Sequence, residues 1–271
     1  MKVHVFGSCS GTEPMPGRHH TAWALETESG LYWFDAGEGC SYTAHLMGVD
    51  LLRMRAIFIS HPHMDHVGGL GNLLWNIRKL TSVTKRQPGD IDVYVPEIAC
   101  YDAVMALLRG TEGGFVCKFG LQGHMVSDGV IFDRDGVTVE AMHNFHLGRE
   151  EPWRSYSYRI TAEGKTIIFT GDIKESSDID AFLADGCDLL FTETGHHQPD
   201  TMANYINEHQ YRVGKLAFLH HGRCFLYDHD GSEELLRKAW KGEYAICEDA
   251  DTSILYFERT INHEFITGMG S

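Results

Sequence analysis

The chain has 271 residues, of which 43% are hydrophobic, so it is long enough to bury a complete core. Its 38 acidic and 23 basic side chains give a net charge of −15, which disfavours nucleic acid and anionic membrane as partners. We expect one domain over residues 1–260 and a C-terminal tail over 261–271. The first residues lack an apolar signal-peptide run and the seven cysteines show no CxxC spacing, which predicts a cytoplasmic protein with reduced thiols.

Short β-rich runs recur along the chain, and helical patterns lie between some of them. The predicted strands are 2–7, a hairpin over 21–35 that turns at Ser29-Gly30, then 56–60, 92–96, 137–142, 155–161, 166–172, 188–193, 215–220, 244–248 and 253–258. The predicted helices are 69–82, 98–110, 178–186, 201–214 and 232–242, the last with Ser232 as its N-cap. Many strands with interspersed helices predict two sheets covered by helices.

The stretch AIFISHPHMDHVGGLGNLL, residues 56–74, places four polar side chains on one connection. His61, His63, Asp65 and His66 lie between a predicted buried strand and the helix that follows it. The C-terminal end of a strand is where sites form in α/β proteins, and such a loop can direct several side chains at one point. One HxH pair would be unremarkable polar sequence, but four such residues within six positions predict a metal site.

Further candidate ligands follow later predicted strands. They are His143 and His146 after 137–142, Asp172 at the end of 166–172, and His220 and His221 after the apolar run of 215–219. Their spacing alone leaves open which histidine of each pair is a ligand. Imidazole and carboxylate are ligands of Zn²⁺ and also of Mn²⁺ or Fe. Zinc is the metal that we expect by default.

This order of motifs resembles the metallo-β-lactamase-fold hydrolases, in which an HxHxDH loop precedes a lone histidine, a bridging aspartate and a final histidine. The resemblance runs from about residue 3 to 258. It implies an α/β fold, an αββα sandwich of two mixed β-sheets flanked by helices, with two divalent metal ions at one edge. Carried over residue by residue, it implies one metal held by His61, His63 and His146, a second held by Asp65, His66 and His220, and Asp172 as the bridge.

Other stretches resemble the ribonuclease Z and phosphodiesterase branch of that family. GSCSGTEP near the start and WFDAGEG over residues 33–39 are similar to its opening motifs. VEAMHNFH is similar to a VxAxxxxH pattern, which implies His146 rather than His143 as the ligand. LLFTETGHHQPDTMANYI resembles a segment with Glu193 after a strand and then a general-acid histidine. His197 fits that position best, with His196 as its competitor.

The resemblance implies a dinuclear metal-dependent phosphodiesterase. In such sites two metal ions lower the pKa of a shared water to about 7, and the metal-bridging hydroxide attacks phosphorus. Asp65 would orient the hydroxide while it binds metal. His197, with Glu193 in the catalytic group beside it, would protonate the leaving alkoxide.

The predicted substrate is a small phosphodiester, such as a cyclic nucleotide, a cyclic sugar phosphate or a short oligonucleotide. Ribonuclease Z grips transfer RNA with an arm inserted between the third ligand and the bridging aspartate, but His146 and Asp172 are only 26 residues apart here. The charge of −15 also offers little surface for long nucleic acid. The branch usually has a Ser two residues after the final histidine and an Arg four residues after it. HHGRCF departs from that motif, so Arg223 need not have its family role.

Three alternative functions are open from the sequence. They are a thioester or lactone hydrolase of the glyoxalase II type, ribonuclease Z-like RNA processing without the arm, and a non-catalytic metal-binding scaffold. The oligomeric state is also open, with a homodimer as one alternative.

Overall fold

Strands with interspersed helices make up the described part of the chain, residues 1–111 and 114–252, in this computed structural model. The strands are β1 Lys2–Gly7, β2 Ala22–Glu26, β3 Leu31–Phe34, β4 Met54–Phe58, β5 Ile91–Val95, β6 Leu121–Met125, β7 Gly129–Arg134, β8 Val137–His143, β9 Tyr156–Ala162, β10 Lys165–Phe169, β11 Cys187–Glu193, β12 Val213–Leu219 and β13 Glu243–Ile246. The α-helices are α1 Cys40–Leu46, α2 Met64–Val67, α3 Leu70–Thr84, α4 Ile98–Gly110, α5 Asp180–Leu183, α6 Thr201–His209, α7 Arg223–Tyr227 and α8 His229–Ala239. Two 3₁₀ turns lie at Leu51–Arg53 and Ser176–Ile179.

The strands form two mixed sheets. One has the order β1-β2-β3-β4-β5-β6, antiparallel as far as β3 and parallel from there on. The other has the order β13-β12-β11-β10-β9-β8-β7, parallel from β13 to β10 and antiparallel beyond. Within the first sheet β1, β3 and β4 run the same way, and within the second sheet β8, β10, β11 and β12 do, because strands separated by two antiparallel steps are parallel. The two sets end at one edge of the sandwich, where Cys9 after β1 forms a bridge with His221 after β12.

Successive side chains on the central strands enter different layers of the core. In β3, Tyr32 and Phe34 pack between the two sheets, whereas Leu31 and Trp33 pack against the helices outside the first sheet. In β10, Phe169 points between the sheets and Ile168 points to the helices of the second. Because side chains alternate along a strand, a strand buried on both faces is a continuous apolar run rather than an alternating one. The layers are therefore helix, sheet, sheet, helix.

The structure confirms most of the predicted elements. The hairpin over 21–35 forms as β2 and β3, which pair antiparallel. Each predicted strand from 56–60 to 244–248 has a counterpart, although several bounds shift by a few residues. The predicted strand 253–258, the domain boundary at 260 and the tail 261–271 lie outside the described residues.

Two helix predictions need correction. Helix α6 ends at His209 rather than 214, because Gln210 takes a left-handed conformation with φ 58° that stops the helix. Helix α8 begins at His229, and its cap is Asp228, whose side chain accepts from Gly231 N, so Ser232 is not the N-cap. Helices α1, α2 and α7 have no predicted counterpart. Within the described residues, no helix is long and apolar enough to cross a membrane.

Candidate functional site

The predicted ligands come from loops at the shared strand edge. His61, His63, Asp65 and His66 follow β4, and His146, Asp172 and His220 follow β8, β10 and β12 respectively. His220 has φ 53°, a left-handed backbone conformation that is uncommon for a residue of this size. Such a conformation persists where the surrounding structure holds the residue in place. The topology thus brings together residues that are up to 159 positions apart in the sequence.

The first group consists of His61, His63, His146 and Asp172, whose candidate ligand atoms all lie within 4.8 Å of one another. Nε2 of His61 lies 3.1 Å from Nδ1 of His63 and 3.6 Å from Oδ2 of Asp172. Nε2 of His146 lies 3.5 Å from the same Nδ1 and 3.7 Å from the same Oδ2. Three imidazole nitrogens and one carboxylate oxygen therefore converge.

The second group consists of Asp65, His66, Asp172 and His220, again within 4.8 Å. Oδ2 of Asp65 lies 3.3 Å from Nε2 of His66 and 3.2 Å from Nε2 of His220. Oδ1 of Asp172 lies 3.4 Å and 3.3 Å from the same two nitrogens. Asp172 thus presents Oδ2 to the first group and Oδ1 to the second, which is the arrangement that a bridging carboxylate requires.

Two buried atoms test whether these residues fit a divalent metal. Among the described residues, Nε2 of His66 and Oδ1 of Asp172 are buried without a hydrogen-bond partner. A buried polar atom without a partner is costly, so such atoms point to a ligand that would satisfy them. Imidazole nitrogen and carboxylate oxygen are both ligands of Zn²⁺, and the site contains groups fit to bind divalent metal.

The two groups differ in charge. Burial lowers the pKa of His61 well below its usual value, and lowers that of His146 to about 4, so both rings are neutral and ready to bind metal. Burial acts the same way on His220, but Asp172 and Asp65 outweigh it and raise its pKa to about 9. A metal ion at the second group therefore has to displace a proton, because only the neutral ring is a ligand.

Asp35 lies next to the second group and holds His66 in position. It follows β3, is fully buried, and accepts from the backbone N–H of Ser60 over 2.6 Å and from the Ser60 hydroxyl over 2.8 Å. Oδ2 also lies 2.7 Å from Nδ1 of His66. A proton on that Nδ1 leaves Nε2 free to face Asp65 and Asp172, which is how carboxylates fix the tautomer of metal-binding histidines.

We expect Asp35→Asn to lower the metal affinity of the second group by about 10- to 100-fold, the usual effect of losing such an outer partner. Competition with a chromogenic chelator measures it. The matched control is Asp92→Asn, because Oδ1 of Asp92 lies 2.6 Å from Nε2 of His124 in a carboxylate–histidine pair outside the site. An equal loss of affinity in both variants would contradict the orienting role of Asp35.

A third group consists of Glu193, His196 and His220. Glu193 ends β11 and is buried; it accepts from His196 N over 2.8 Å, and its Oε1 lies 3.0 Å from Nδ1 of the same residue. Burial raises the pKa of Glu193, but the hydrogen bonds with His196 and His220 outweigh it and bring the value to about 2. Gly195 is needed beside them, because a Cβ there would lie 2.5 Å from Nδ1 of His220.

The structure separates the two histidines that competed for the general-acid position. His196 lies on a cavity of about 380 Å³ together with His63, Asp65, Asp172 and His220, and its Nδ1 is 3.8 Å from Oδ2 of Asp172. His197 is turned away: it is not among the residues that line this cavity, and its Nε2 is 3.0 Å from the carbonyl oxygen of Ile173. The geometry therefore favours His196 over the predicted His197.

His146 and His143 are separated in the same way. His146 belongs to the first group. Nδ1 of His143 lies 2.7 Å from Oδ2 of Asp128, and its ring stacks on Trp153 with 4.1 Å between ring centroids. The assignment of His146 as the ligand stays a prediction, and the geometry favours it. His221, the alternative to His220, lies 2.7 Å by its Nε2 from the carbonyl oxygen of Cys247.

We expect His146→Ala to lose metal from the first group and His143→Ala to keep it, because only His146 faces His63 and Asp172. Elemental analysis of the two purified variants measures the difference. The loss should exceed the roughly 10- to 100-fold effect of an outer partner, since a direct donor is removed. Metal loss confined to His143→Ala would reverse the assignment.

Two features of the site were not assigned from the sequence. Asp35 lies in WFDAGEG, a stretch noted only as a resemblance, and an acidic residue directly after a buried strand could have marked it. Gly11 is the second, because a Cβ there would lie 2.8 Å from Oδ2 of Asp65. The loop after β1 therefore packs directly on a candidate ligand.

Solved structures agree with this architecture. YhfI from Bacillus subtilis, a metallo-β-lactamase fold protein, superposes with a TM-score of 0.68 at 20% identity and covers 92% of this chain and 97% of its own. The short form of human tRNase Z superposes with a TM-score of 0.69 at 20% identity and covers 94% and 100%. These likenesses confirm the predicted metallo-β-lactamase fold.

Sequence comparisons confirm the resemblance to the ribonuclease Z branch. Ribonuclease Z of Treponema denticola is 38% identical over 101 residues, which are 37% of this chain and 31% of that enzyme. The match thus spans about a third of that relative's length. The profile of the family described as anti-Pycsar protein Apyc1 matches residues 1–210, which is most of the chain. On that match, the chain belongs to the anti-Pycsar protein Apyc1 family.

Proposed function

We propose that the chain is a dinuclear metal-dependent hydrolase that cleaves a small phosphodiester, with zinc as the default metal. The observation that carries the proposal is Asp172, whose two oxygens face two separate groups of ligand atoms. His61, His63 and His146 would hold one ion, and Asp65, His66 and His220 the other. Two ions so held supply Lewis-acid chemistry: they activate water at neutral pH and neutralise charge on phosphoryl oxygens.

The side chains around these groups would position water and move a proton. Asp65 lines the cavity, so its carboxylate can orient an attacking water by accepting a hydrogen bond from it. Nδ1 of His196 is engaged by Glu193, which leaves Nε2 to donate a proton to the leaving oxygen. The hydrogen bond with Glu193 raises the pKa of His196, which favours the protonated ring that this step needs.

The size of the cavity and the connections around it support a small substrate. About 380 Å³ is at the small end of the range for ligand sites, which suits a small phosphodiester such as a cyclic nucleotide, a cyclic sugar phosphate or a short oligonucleotide. Strands β9 and β10 account for 12 of the 25 residues between His146 and Asp172, and the short connections that remain hold no added arm for a folded RNA. The charge of −15 further disfavours long nucleic acid.

A metal analysis combined with a substrate panel tests the proposal. Protein loaded with Zn²⁺ or Mn²⁺ is assayed with bis(4-nitrophenyl) phosphate, a set of cyclic nucleotides, a phosphomonoester, a lactone, a thioester and a transfer RNA precursor. We expect two ions per chain and turnover of the diesters well above that of the other substrates. Asp188→Asn is the control variant, because Asp188 lies on β11 away from the cavity and contacts Lys165 and Thr166.

Other outcomes would identify the alternatives. Preferred turnover of the thioester or lactone would favour a glyoxalase II-type hydrolase, and preferred cleavage of the precursor would favour RNA processing. A fully loaded protein that turns over none of these substrates would favour a metal-binding scaffold. The proposed cytoplasmic location is tested separately by fractionation.

A further inference from the structure

An exposed ion pair lies at the rim of the cavity. Arg223 opens α7 and lines the cavity next to Gly222 and His220. Its Nη2 donates to Oε2 of Glu13 over 3.0 Å, and the hydroxyl of Tyr227 donates to Oε1 of the same carboxylate over 3.0 Å. Glu13 belongs to the loop after β1, so one carboxylate joins that loop to both ends of α7.

Arg223 supplies the fixed positive charge of the cavity. Of the described residues that line it, Arg223 is the one arginine or lysine, and the other ionisable groups are imidazoles and carboxylates. A guanidinium stays protonated throughout the physiological range and presents a planar fork that matches phosphate oxygens. In a chain of net charge −15, this group is the permanent cation that an anion meets on entering the cavity.

The partner of this guanidinium can be exchanged at little cost. The side chain of Arg223 is 67% exposed and that of Glu13 is 53% exposed. Exposed ion pairs contribute little to stability, because water screens both charges and two long side chains have to be ordered. A carboxylate released from Arg223 also keeps its hydrogen bond with Tyr227.

We propose that Arg223 is a specificity-determining residue that binds a non-bridging oxygen of the phosphodiester, and that Glu13 competes with the substrate for its guanidinium. This inference rests on the proposed function and narrows its substrate class. Anionic phosphodiesters are preferred over neutral esters with the same leaving group, because only an anion replaces the Glu13 carboxylate on Arg223.

A pair of substrates that differ in charge tests the inference. Bis(4-nitrophenyl) phosphate carries one negative charge, and its methyl triester has the same leaving group and none. For Arg223→Gln we expect KM for the diester to rise by about 10- to 100-fold, the scale of a charge-assisted hydrogen bond, with a much smaller change for the triester. For Glu13→Gln we expect KM for the diester to fall by about two- to five-fold, because an exposed competitor is removed.

Controls separate recognition from structural effects. Arg237→Gln is the matched arginine control, since Arg237 is exposed on α8 and pairs with Glu233 rather than with a cavity residue. Tm and metal content are measured for every variant, and inhibition by 4-nitrophenyl phosphate gives a binding readout that needs no turnover. Its inhibition constant should rise in Arg223→Gln and fall in Glu13→Gln.

Three results would overturn the inference. One is an equal rise of KM for the diester and the triester in Arg223→Gln. Another is weaker diester binding in Glu13→Gln as well as in Arg223→Gln, since that would mean that the ion pair serves to hold the loop after β1 and helix α7 together. The third is an unchanged diester KM in Arg223→Gln while the wild-type protein cleaves the diester. If the wild-type protein cleaves no diester, the proposed function fails instead.

Discussion

Asp172→Ala should lose metal from both groups at once and reduce phosphodiester turnover by about 10³-fold or more, beyond the effect of removing one electrostatic contact at an active site. Both oxygens of Asp172 are involved, because Oδ2 faces His61 and His146 while Oδ1 faces His66 and His220. The Asp172 carboxyl is buried, which alone would raise its pKa, but the histidines around it hold the pKa well below the usual value. It is therefore a permanent anionic donor to both groups.

Elemental analysis and chelator competition measure the loss of metal. The choice of variants separates the loss of the carboxylate charge from the loss of side-chain volume. Asp172→Asn keeps the volume of the side chain and one oxygen, so we expect it to retain more metal than Asp172→Ala. Asp188→Asn removes a carboxylate of the same sheet that contacts Lys165 and should leave both ions in place. Two tightly held ions in Asp172→Ala would exclude Asp172 as the bridge.

The layered fold was predictable because its signals are local and repeated. Strands such as β3, β4 and β10 are buried on both faces, so they stand out as short apolar runs bounded by polar or turn residues. The candidate ligands were predictable for the same reason, since each follows one of those runs. The ends of these strands meet at one edge because the strands run in the same direction. The strand directions themselves were predictable only through the resemblance to a known fold.

The choice between adjacent histidines could not be made from the sequence. After β11, the backbone N–H of His196 donates to Glu193, and Gly195 packs against His220, so the turn directs His196 into the cavity and His197 towards Ile173. The hydrogen bond with Glu193 is local, but the contacts with His220 and Ile173 involve residues that follow other strands and are distant in sequence. The sequence Gly195-His196-His197 does not indicate which of the two imidazoles faces the cavity.

Some helix limits could not be predicted, because the conformation of the residues at the helix ends decides them. Helix α1 follows Gly39, which has φ 74° and provides no side-chain cap, and its sequence CSYTAHL has no strong periodic pattern. For α8 the sequence predicts Ser232 as the N-cap because Ser is a good capping residue, but Asp is an equally good one. The observed cap is Asp228, which accepts from Gly231 N.

His196→Gln should lose about 10²- to 10⁴-fold in rate on a diester with a poor alkoxide leaving group, the usual scale of general acid catalysis. The loss should be smaller for a nitrophenolate leaving group, which needs less protonation. The variant should retain both metal ions, because His196 belongs to neither group that contains Asp172. His197→Gln is the matched control: it removes the adjacent imidazole, whose Nε2 is 3.0 Å from the Ile173 carbonyl oxygen, and should show no leaving-group dependence.

The pH profile supplies an independent readout of the same role. The hydrogen bond with Glu193 raises the pKa of His196 and so favours the protonated ring, and the proton needed by the leaving alkoxide is lost as the pH rises through that pKa. The wild-type rate on an alkoxide diester should therefore fall on the alkaline side, and this fall should be absent in His196→Gln. Equal losses on both leaving groups would indicate that His196 positions the substrate. Leaving-group dependence confined to His197→Gln would return the acid role to His197, and loss of metal in His196→Gln would make His196 a ligand.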